Sequence, residues 1–327
     1  MSSKQKILKK VPGIAWATIG IFVVLSITTS GFFTSFNLMS LLRDCCVLIL
    51  VSMGMHLTIL SGKLNIAVGA IMSFCGVVTE LALQDGMNVF LAILLGLAAG
   101  TFIGWIAGIL IAYLNFDFWV ITYAFMGISQ GLALVISGGN TVPGSNSAFS
   151  FLGTGKIGGV YTIIWLTVIV CAIMIYISYS TKFGNNIYAI GGNVSSASLS
   201  GINVKKTIVW IFTFSGILSA LSGILLAAKT NSASPIGGSG YEFDAIAAVL
   251  IGGTPFSGGR GNITYTMIGA IMMRLLRNGL NLIGLSPYWQ TFIIGLLVMG
   301  IIVVDVIVTE KAEKKRLRRV YQYDEKN

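Results

Sequence analysis

Charge is scarce in this chain. Of 327 residues, 10% are charged and 55% are apolar, whereas an ordinary soluble domain carries about 25% charged residues. A water-soluble core cannot hide so much apolar surface, because a folded chain needs a sizeable polar skin. The scarcity therefore excludes a soluble globular protein and leaves an integral membrane protein. Histidine is scarcer still: His56 is the single one. It lies in an apolar run with no acidic neighbour at metal-ligand spacing, which excludes a metal site and most acid/base enzyme designs, and it reads as a polar contact satisfied inside the fold. The four cysteines, Cys45, Cys46, Cys75 and Cys171, all lie in apolar runs and form no CxxC pair, so they read as small buried hydrophobes rather than a disulfide framework.

A phosphate cradle is also missing. "GGTPFSGGRGN" (252–262) has the four-residue gap between Gly253 and Gly258, but Gly259 and Arg260 stand where a P-loop needs Lys and then Ser or Thr. By that route the chain does not hydrolyse ATP. Intramembrane acids are few. Glu80 and Asp305 fall near the ends of apolar runs, where they are expected to reach water, and Asp44 is expected to pair with Arg43 beside it. No row of carboxylates suggests a proton relay. Arg274 and Arg277, one helical turn apart, either snorkel to an interface or line a cavity, and the first is the expectation here.

What charge there is has a pattern. Lys4, Lys6, Lys9 and Lys10 precede the first apolar run, Lys311, Lys314, Lys315, Arg316, Arg318 and Arg319 follow the last, and between Ile14 and Ser178 only Arg43, Lys63 and Lys156 are basic. Loops rich in Lys and Arg stay cytoplasmic, which places both termini and the segment from Lys182 to Lys206 inside. A nucleic-acid protein would interleave basic and aromatic residues on a solvated face, so the net charge of +10 does not point that way. A span needs about 20 mostly apolar residues. Candidates run near Ile14–Ser30, Asp44–Leu60, Ile66–Leu83, Val89–Leu114, Trp119–Ile136, Tyr161–Tyr179, Thr207–Ala228, Phe243–Gly253, Ile263–Ile283 and Tyr288–Val308. The first reads as an uncleaved span, since no convincing cleavage site follows it. Ten spans suit two cytoplasmic ends. The predicted fold is an all-α polytopic membrane protein in one transmembrane domain, 1–327, with a cytoplasmic loop at about 180–206 and a basic cytoplasmic tail at about 309–327.

The second, third and eighth spans are interrupted by Gly and polar residues, and the interruptions repeat. "SGKLNIAVGAIM" (61–72) resembles "SGGRGNITYTMIGAIM" (257–272), which suggests two related halves with broken helices of the kind that line transporter paths. "GLAAGTFIGWIAG" (96–108) sets glycines at the spacing that lets membrane helices approach closely. Two long, neutral, turn-rich loops, 137–159 and 229–244, fall outside, where an arriving partner or solute meets them first.

Uncharged polarity is what the spans do offer. Asn65, Thr122, Gln130, Asn278, Asn281 and Gln290, with Phe118, Tyr288 and Trp289 near them in sequence, suit a path for a neutral, hydroxyl-rich solute, since amides exchange hydrogen bonds with it and rings stack on its apolar face. Hydrogen bonds between helices are the other reading of each. "NIYAIGGNVSSASLSGINVKK" (186–206) is polar and built from small residues. Ala197 and Leu199 permit a short helix along the membrane face, broken by Gly191, Gly192 and Gly201 at its two ends; it is either a docking helix or a plain loop.

That last segment, with "YEFDAIAAVLIGGTPFSGGRGNI", "NGLNLIGLSPYWQ", "SGKLNIAVGAIMSF" and "LNFDFWVITYAFMGISQGLAL" in order along nearly the whole chain, resembles the permease subunits of bacterial ABC importers for monosaccharides, the ribose type. The resemblance implies ten spans, a second permease subunit (identical or not), a cytoplasmic ATP-binding subunit that binds the ATP, an extracytoplasmic solute-binding protein, and residence in the bacterial inner membrane. It also implies that the stretch from Gly192 through Asn193 to Gly201 belongs to a coupling helix seated in the ATPase. The chain departs from the family at Lys63, Asn65 and Ala67, where a glycine, an acid and a serine are usual, and in Ser195-Ser196-Ala197-Ser198, where Glu-Ala-Ala-Arg is usual, so that serines replace the charges at 195 and 198. Other cargoes stay open, a nucleoside or furanose signal among them, as does an ion-coupled secondary transporter.

Overall fold

The computed structural model describes residues 13–300 together with 302, 303 and 307. Twelve helices occupy most of that span: α1 (Gly13–Thr28), α2 (Ser35–Leu60), α3 (Val68–Gln84), α4 (Val89–Tyr113), α5 (Phe118–Ile136), α6 (Ser147–Thr154), α7 (Thr162–Ser180), α8 (Lys182–Gly192), α9 (Val194–Leu199), α10 (Val204–Thr230), α11 (Tyr241–Ile251) and α12 (Ile263–Leu282). A further helix, α13, runs through 287–300. Each predicted span within the described residues falls on one of these helices. The expected basic segments, 1–12 and 309–327, and the end of the last span with Asp305 lie outside the described residues.

Helix starts follow local chemistry. Unpaired amides are costly where water is absent, and side-chain oxygens of Asn88, Asp117, Asn203 and Asn262 accept them at the starts of α4, α5, α10 and α12. One boundary differs from expectation: α2 begins at Ser35 rather than at Asp44. The charges at its middle are tolerated because each has a partner. Asp44 pairs with Lys229 of α10, not with Arg43, since adjacent residues on a helix do not face each other. Arg43 lies over the ring of Tyr161 at 4.5 Å.

The core is built on α10, which is buried against α2, α3 and α4. The glycine stripe of α4 makes this contact. A β-carbon on Gly108 would come within 2.8 Å of the Val209 Cα, and one on Gly104 would run into the Phe212 carbonyl, so the two backbones meet as small residues permit. The two repeated segments are both helix breaks, the first leading into α3 and the second into α12. Their Gly-Ala-Ile-Met steps do the same work: Gly69 lies against the Gly238 carbonyl and Gly269 against that of Ala248.

Large apolar side chains, Phe102, Val135, Ile169 and Tyr176 among them, are exposed along the helix flanks. Five helices, α2, α4, α5, α7 and α10, are long and apolar enough to cross a membrane, and such a belt is what lipid covers. The loops expected outside are ordered. Residues Val142–Pro143 (β1) pair antiparallel with Ser232–Ala233 (β4), and Lys156–Ile157 (β2) form a small hairpin with Val160–Tyr161 (β3). They lie at the opposite end of the bundle from Lys182, Lys205 and Lys206.

Candidate functional site

At the basic end, four segments converge. Thr181 caps α8 by accepting the Gly184 amide. The helix ends at Gly192, and Asn193 restarts the chain as α9 by accepting the Ser196 amide at 2.8 Å. Gly201, at φ +81°, takes the left-handed conformation that closes a helix; its amide bonds the Ser198 carbonyl at 3.0 Å, and that of Ile202 bonds the Ala197 carbonyl at 3.1 Å. The turn from 186 to 203 is thus two short helices, α8 and α9. Ala197 is buried while Leu199 is 90% exposed and Val194 is exposed as well. Ala197 seats α9 on the protein and Leu199 stands out from it as an apolar knob.

The inner side of α8 touches both helix breaks. A β-carbon on Gly191 would run into the Leu60 carbonyl, at the end of α2, whereas one on Gly192 would meet nothing within 4 Å. The same Leu60 carbonyl accepts the amide of Gly259 at 2.9 Å, which ties the first break to the second. Gly62 and Gly259 share a φ of +74°, so both turns need a residue without a side chain. Tyr188 of α8 donates its hydroxyl to the Gly261 carbonyl at 3.0 Å. The junction continues into α5: Lys63 lies over the Phe118 ring at 5.6 Å, and Trp119 stacks on Phe256 of the second break with centroids 6.2 Å apart. Asn65 locks the first break from the other side, donating to Ser215 of α10 at 3.0 Å and accepting the Ala67 amide at 3.1 Å. His56 of α2, wholly buried, bonds the hydroxyls of Thr266 at 2.8 Å and Thr254 at 3.3 Å through Nδ1. The arrangement links a surface helix to the two places where membrane helices are broken.

The chain is also similar to known proteins. A family model described as "Branched-chain amino acid transport system / permease component" matches residues 37–302. The ribose import permease of Escherichia coli strain K12 is 34% identical over 293 residues, covering 88% of this chain and 91% of that protein. The chain belongs to this permease family. The D-allose transport system permease of the same strain is 32% identical over 304 residues, covering 90% of the chain and 93% of that protein. A solved structure of a metal-chelate type ABC transporter in an inward-facing conformation matches at a TM-score of 0.50, with 16% identity over 90% of this chain and 99% of that one. That likeness concerns the fold alone.

The polar residues expected to line a path fall in separate places in the permease. Asn65, Phe118 and Thr122 lie toward the basic end, and Thr122 returns its hydroxyl to the Phe118 carbonyl at 2.8 Å. Gln130 sits toward the opposite end and donates to the Pro235 carbonyl at 2.6 Å. Asn278 exchanges hydrogen bonds with Asn37 at 2.8 and 3.1 Å, which ties α12 to the start of α2. Gln290 is buried and holds the Leu285 carbonyl at 2.9 Å, while Asn281, Tyr288 and Trp289 are exposed.

Two expectations about charge are corrected. Arg274 and Arg277 do not snorkel. Arg277 grips the buried Asp244 carboxylate with two hydrogen bonds, Nε to Oδ2 at 2.7 Å and Nη2 to Oδ1 at 2.6 Å, and Arg274 lies over the Tyr241 ring at 4.4 Å. A buried acid on α11 gives both guanidinium groups a reason to face inward. Glu80 is wholly buried rather than reaching water, because the 142–146 segment folds over that end of α3. Asp244, the second of two acids in "YEFDAIAAVL" and set in an apolar helix, was the available signal for Arg274 and Arg277.

Proposed function

We propose that this permease is the membrane subunit of an ABC importer and moves a monosaccharide, ribose or a related small sugar, delivered by an extracytoplasmic binding protein. The observation that carries the reading is the Gly191 to Leu60 contact: a surface helix pair, α8 and α9, rests directly on the junction of the two helix breaks. The similar permeases for ribose and D-allose support the cargo class.

In this reading the whole chain, 1–327, is one permease domain in the bacterial inner membrane. Both termini, the basic tail from about 309 and the 180–206 loop lie in the cytoplasm, as the Lys and Arg distribution favours. The ATP-binding subunit binds and hydrolyses ATP, and a second permease subunit completes the path. Leu199 and Val194 enter a cleft on the ATPase, Asn193 and Gly201 fix the ends of the inserted helix, and Gly191 transmits its movement. When the ATPase closes, α8 pushes on the Leu60 end of α2 and on the 257–261 turn. The breaks then reorient α3 and α12, and the path opens outward to receive the sugar. Amides, rings and a hydroxyl, Asn65, Phe118, Thr122 and Gln130 toward one flank and Asn281, Tyr288, Trp289 and Gln290 toward the other, offer weak successive contacts that a neutral polyol can leave as readily as it enters.

The test is co-purification of the tagged chain with its genomic neighbours, followed by ATP hydrolysis of the reconstituted assembly against a panel of pentoses, hexoses and nucleosides. An ATPase that co-purifies and is stimulated by a pentose or hexose supports the proposal. Transport by the chain alone on an ion gradient overturns it in favour of a secondary transporter.

A further inference from the structure

A groove of about 560 Å³ opens on the flank of the permease between α1, α2, α7 and α12. It is far from the coupling junction. Its walls are Phe22, Leu42, Ile49, Ile164, Val168 and Ile271, with cysteines between them. The two hydroxyls in the lining turn away from it: Thr18 bonds the Ile14 carbonyl at 2.9 Å and Thr167 the Ile163 carbonyl at 2.8 Å, each within its own helix. The surface offered is therefore apolar throughout, carbon with the sulfur of three cysteines, at membrane depth. A dry cavity of about 150 Å³ accepts a benzene ring, so this groove has room for roughly 20 carbons, the scale of one fatty-acyl chain.

Two cations stand beside the helices that wall it. Arg43 adjoins Leu42 on α2, Lys156 lies on β2 of the hairpin that leads into α7, and Tyr161 caps α7 one turn before Ile164. The Arg43 guanidinium is 4.5 Å and the Lys156 ammonium 5.0 Å from the centre of the same Tyr161 ring. Neither cation forms an ion pair among the described residues, and the Nε of Arg43 is buried with no hydrogen-bond partner. Tyr161 begins α7 at the end of the bundle opposite the basic loops, where the headgroups of one leaflet lie. A ring flanked at the rim by two cations that have no carboxylate partner among the described residues, above an oily slot of acyl length, matches one ligand chemistry: an anion joined to a long alkyl chain.

We infer that this flank is a phospholipid site, in which one acyl chain occupies the groove and the phosphate is held by Arg43 and Lys156. The site accounts for charge at positions 43 and 156 in a chain that otherwise places almost no basic residues between Ile14 and Ser178. A lipid wedged between α1, α2 and α7 braces α2 from the side away from α10, and so stiffens the helix whose far end carries the Leu60 junction.

The test uses the full-length permease reconstituted in vesicles containing phosphatidylglycerol with a photoreactive group at the acyl terminus, followed by peptide mapping. Crosslinks concentrated on residues 38–49 and 164–171 are expected. The substitutions R43Q and K156Q should each lower phospholipid retained after detergent washing, by roughly fivefold per charge removed, and V168W should abolish groove crosslinks while leaving the charges intact. An alkyl diazirine without a phosphate should label the groove weakly and should not respond to R43Q. Labelling spread evenly over the α4 and α5 flanks, crosslinks to a second copy of the chain, or retention unchanged by both charge substitutions would overturn the inference. A circular dichroism melt of each variant separates loss of lipid from loss of fold.

Discussion

The amide of Gly259 donates to the carbonyl of Leu60 across 2.9 Å, so the second repeated segment is hydrogen-bonded to the end of α2, directly before the first. Gly191 rests on the same carbonyl. A single peptide oxygen thus joins the end of α2, the second break and the surface helix α8.

That contact makes adjacent glycines unequal. Gly191→Ala places a methyl group against the Leu60 carbonyl, and overpacking of this kind costs about 1–3 kcal/mol. Gly192→Ala meets open space and is expected to be neutral. Solute uptake by reconstituted assemblies should fall for Gly191→Ala, by roughly 5- to 150-fold if the whole cost lands on coupling, and should stay unchanged for Gly192→Ala. Equal effects would remove the special role of the Leu60 contact.

Ala197 and Leu199 should separate folding from docking. Leu199→Asp changes a side chain that is 90% exposed, so the isolated permease should melt at its normal temperature while binding of the ATP-binding subunit weakens. Ala197→Asp buries a carboxylate without a partner and should destabilise the fold by several kcal/mol. Thermal melts of the permease alone, set beside pull-down of the ATPase, check both.

Asp244 is the counter-ion of a buried pair, and its side chain is 2% exposed. Asp244→Asn leaves Arg277 without its carboxylate and should cost about 3–5 kcal/mol. The double substitution Asp244→Leu with Arg277→Met removes both charges and should recover most of that loss. Denaturation of the unaltered chain, Asp244→Leu, Arg277→Met and the double variant in a common detergent gives the coupling energy, and additivity of the two single effects would contradict the pairing.

Asn278 serves structure in this account. Its reciprocal bond with Asn37 resembles other interhelical hydrogen bonds in membranes, worth about 0.6 kcal/mol and at most about 1.7. Asn278→Leu should lower stability by that amount and leave the order of preference among sugars unchanged. A changed preference would move Asn278 into the path.

The spans were legible because lipid imposes length and composition on each helix separately, so local sequence suffices. The breaks were legible for a related reason: Gly62 and Gly259 leave a mark in the chain wherever the backbone needs a positive φ. Long-range partners leave no such mark. Nothing in the neighbourhood of Asp44 points to Lys229, and nothing near Arg277 points to Asp244 beyond the rarity of acids in apolar helices. The grouping of polar residues failed for the same reason. Asn65 and Asn278 read alike in sequence, yet one locks a helix break against Ser215 and the other ties two helix ends together. The split between Ala197 and Leu199 was equally hidden, because a six-residue helix has too few turns for its buried face to show as a pattern.

The central claim is that movement of α8 and α9 drives the helix breaks. The most direct measurement is the ratio of sugar transported to ATP hydrolysed by the reconstituted assembly, for the unaltered chain and for Gly191→Val. The account predicts that Gly191→Val still binds the ATPase and permits hydrolysis while the transport ratio collapses. An unchanged ratio, or uptake that persists without any ATPase, would contradict it.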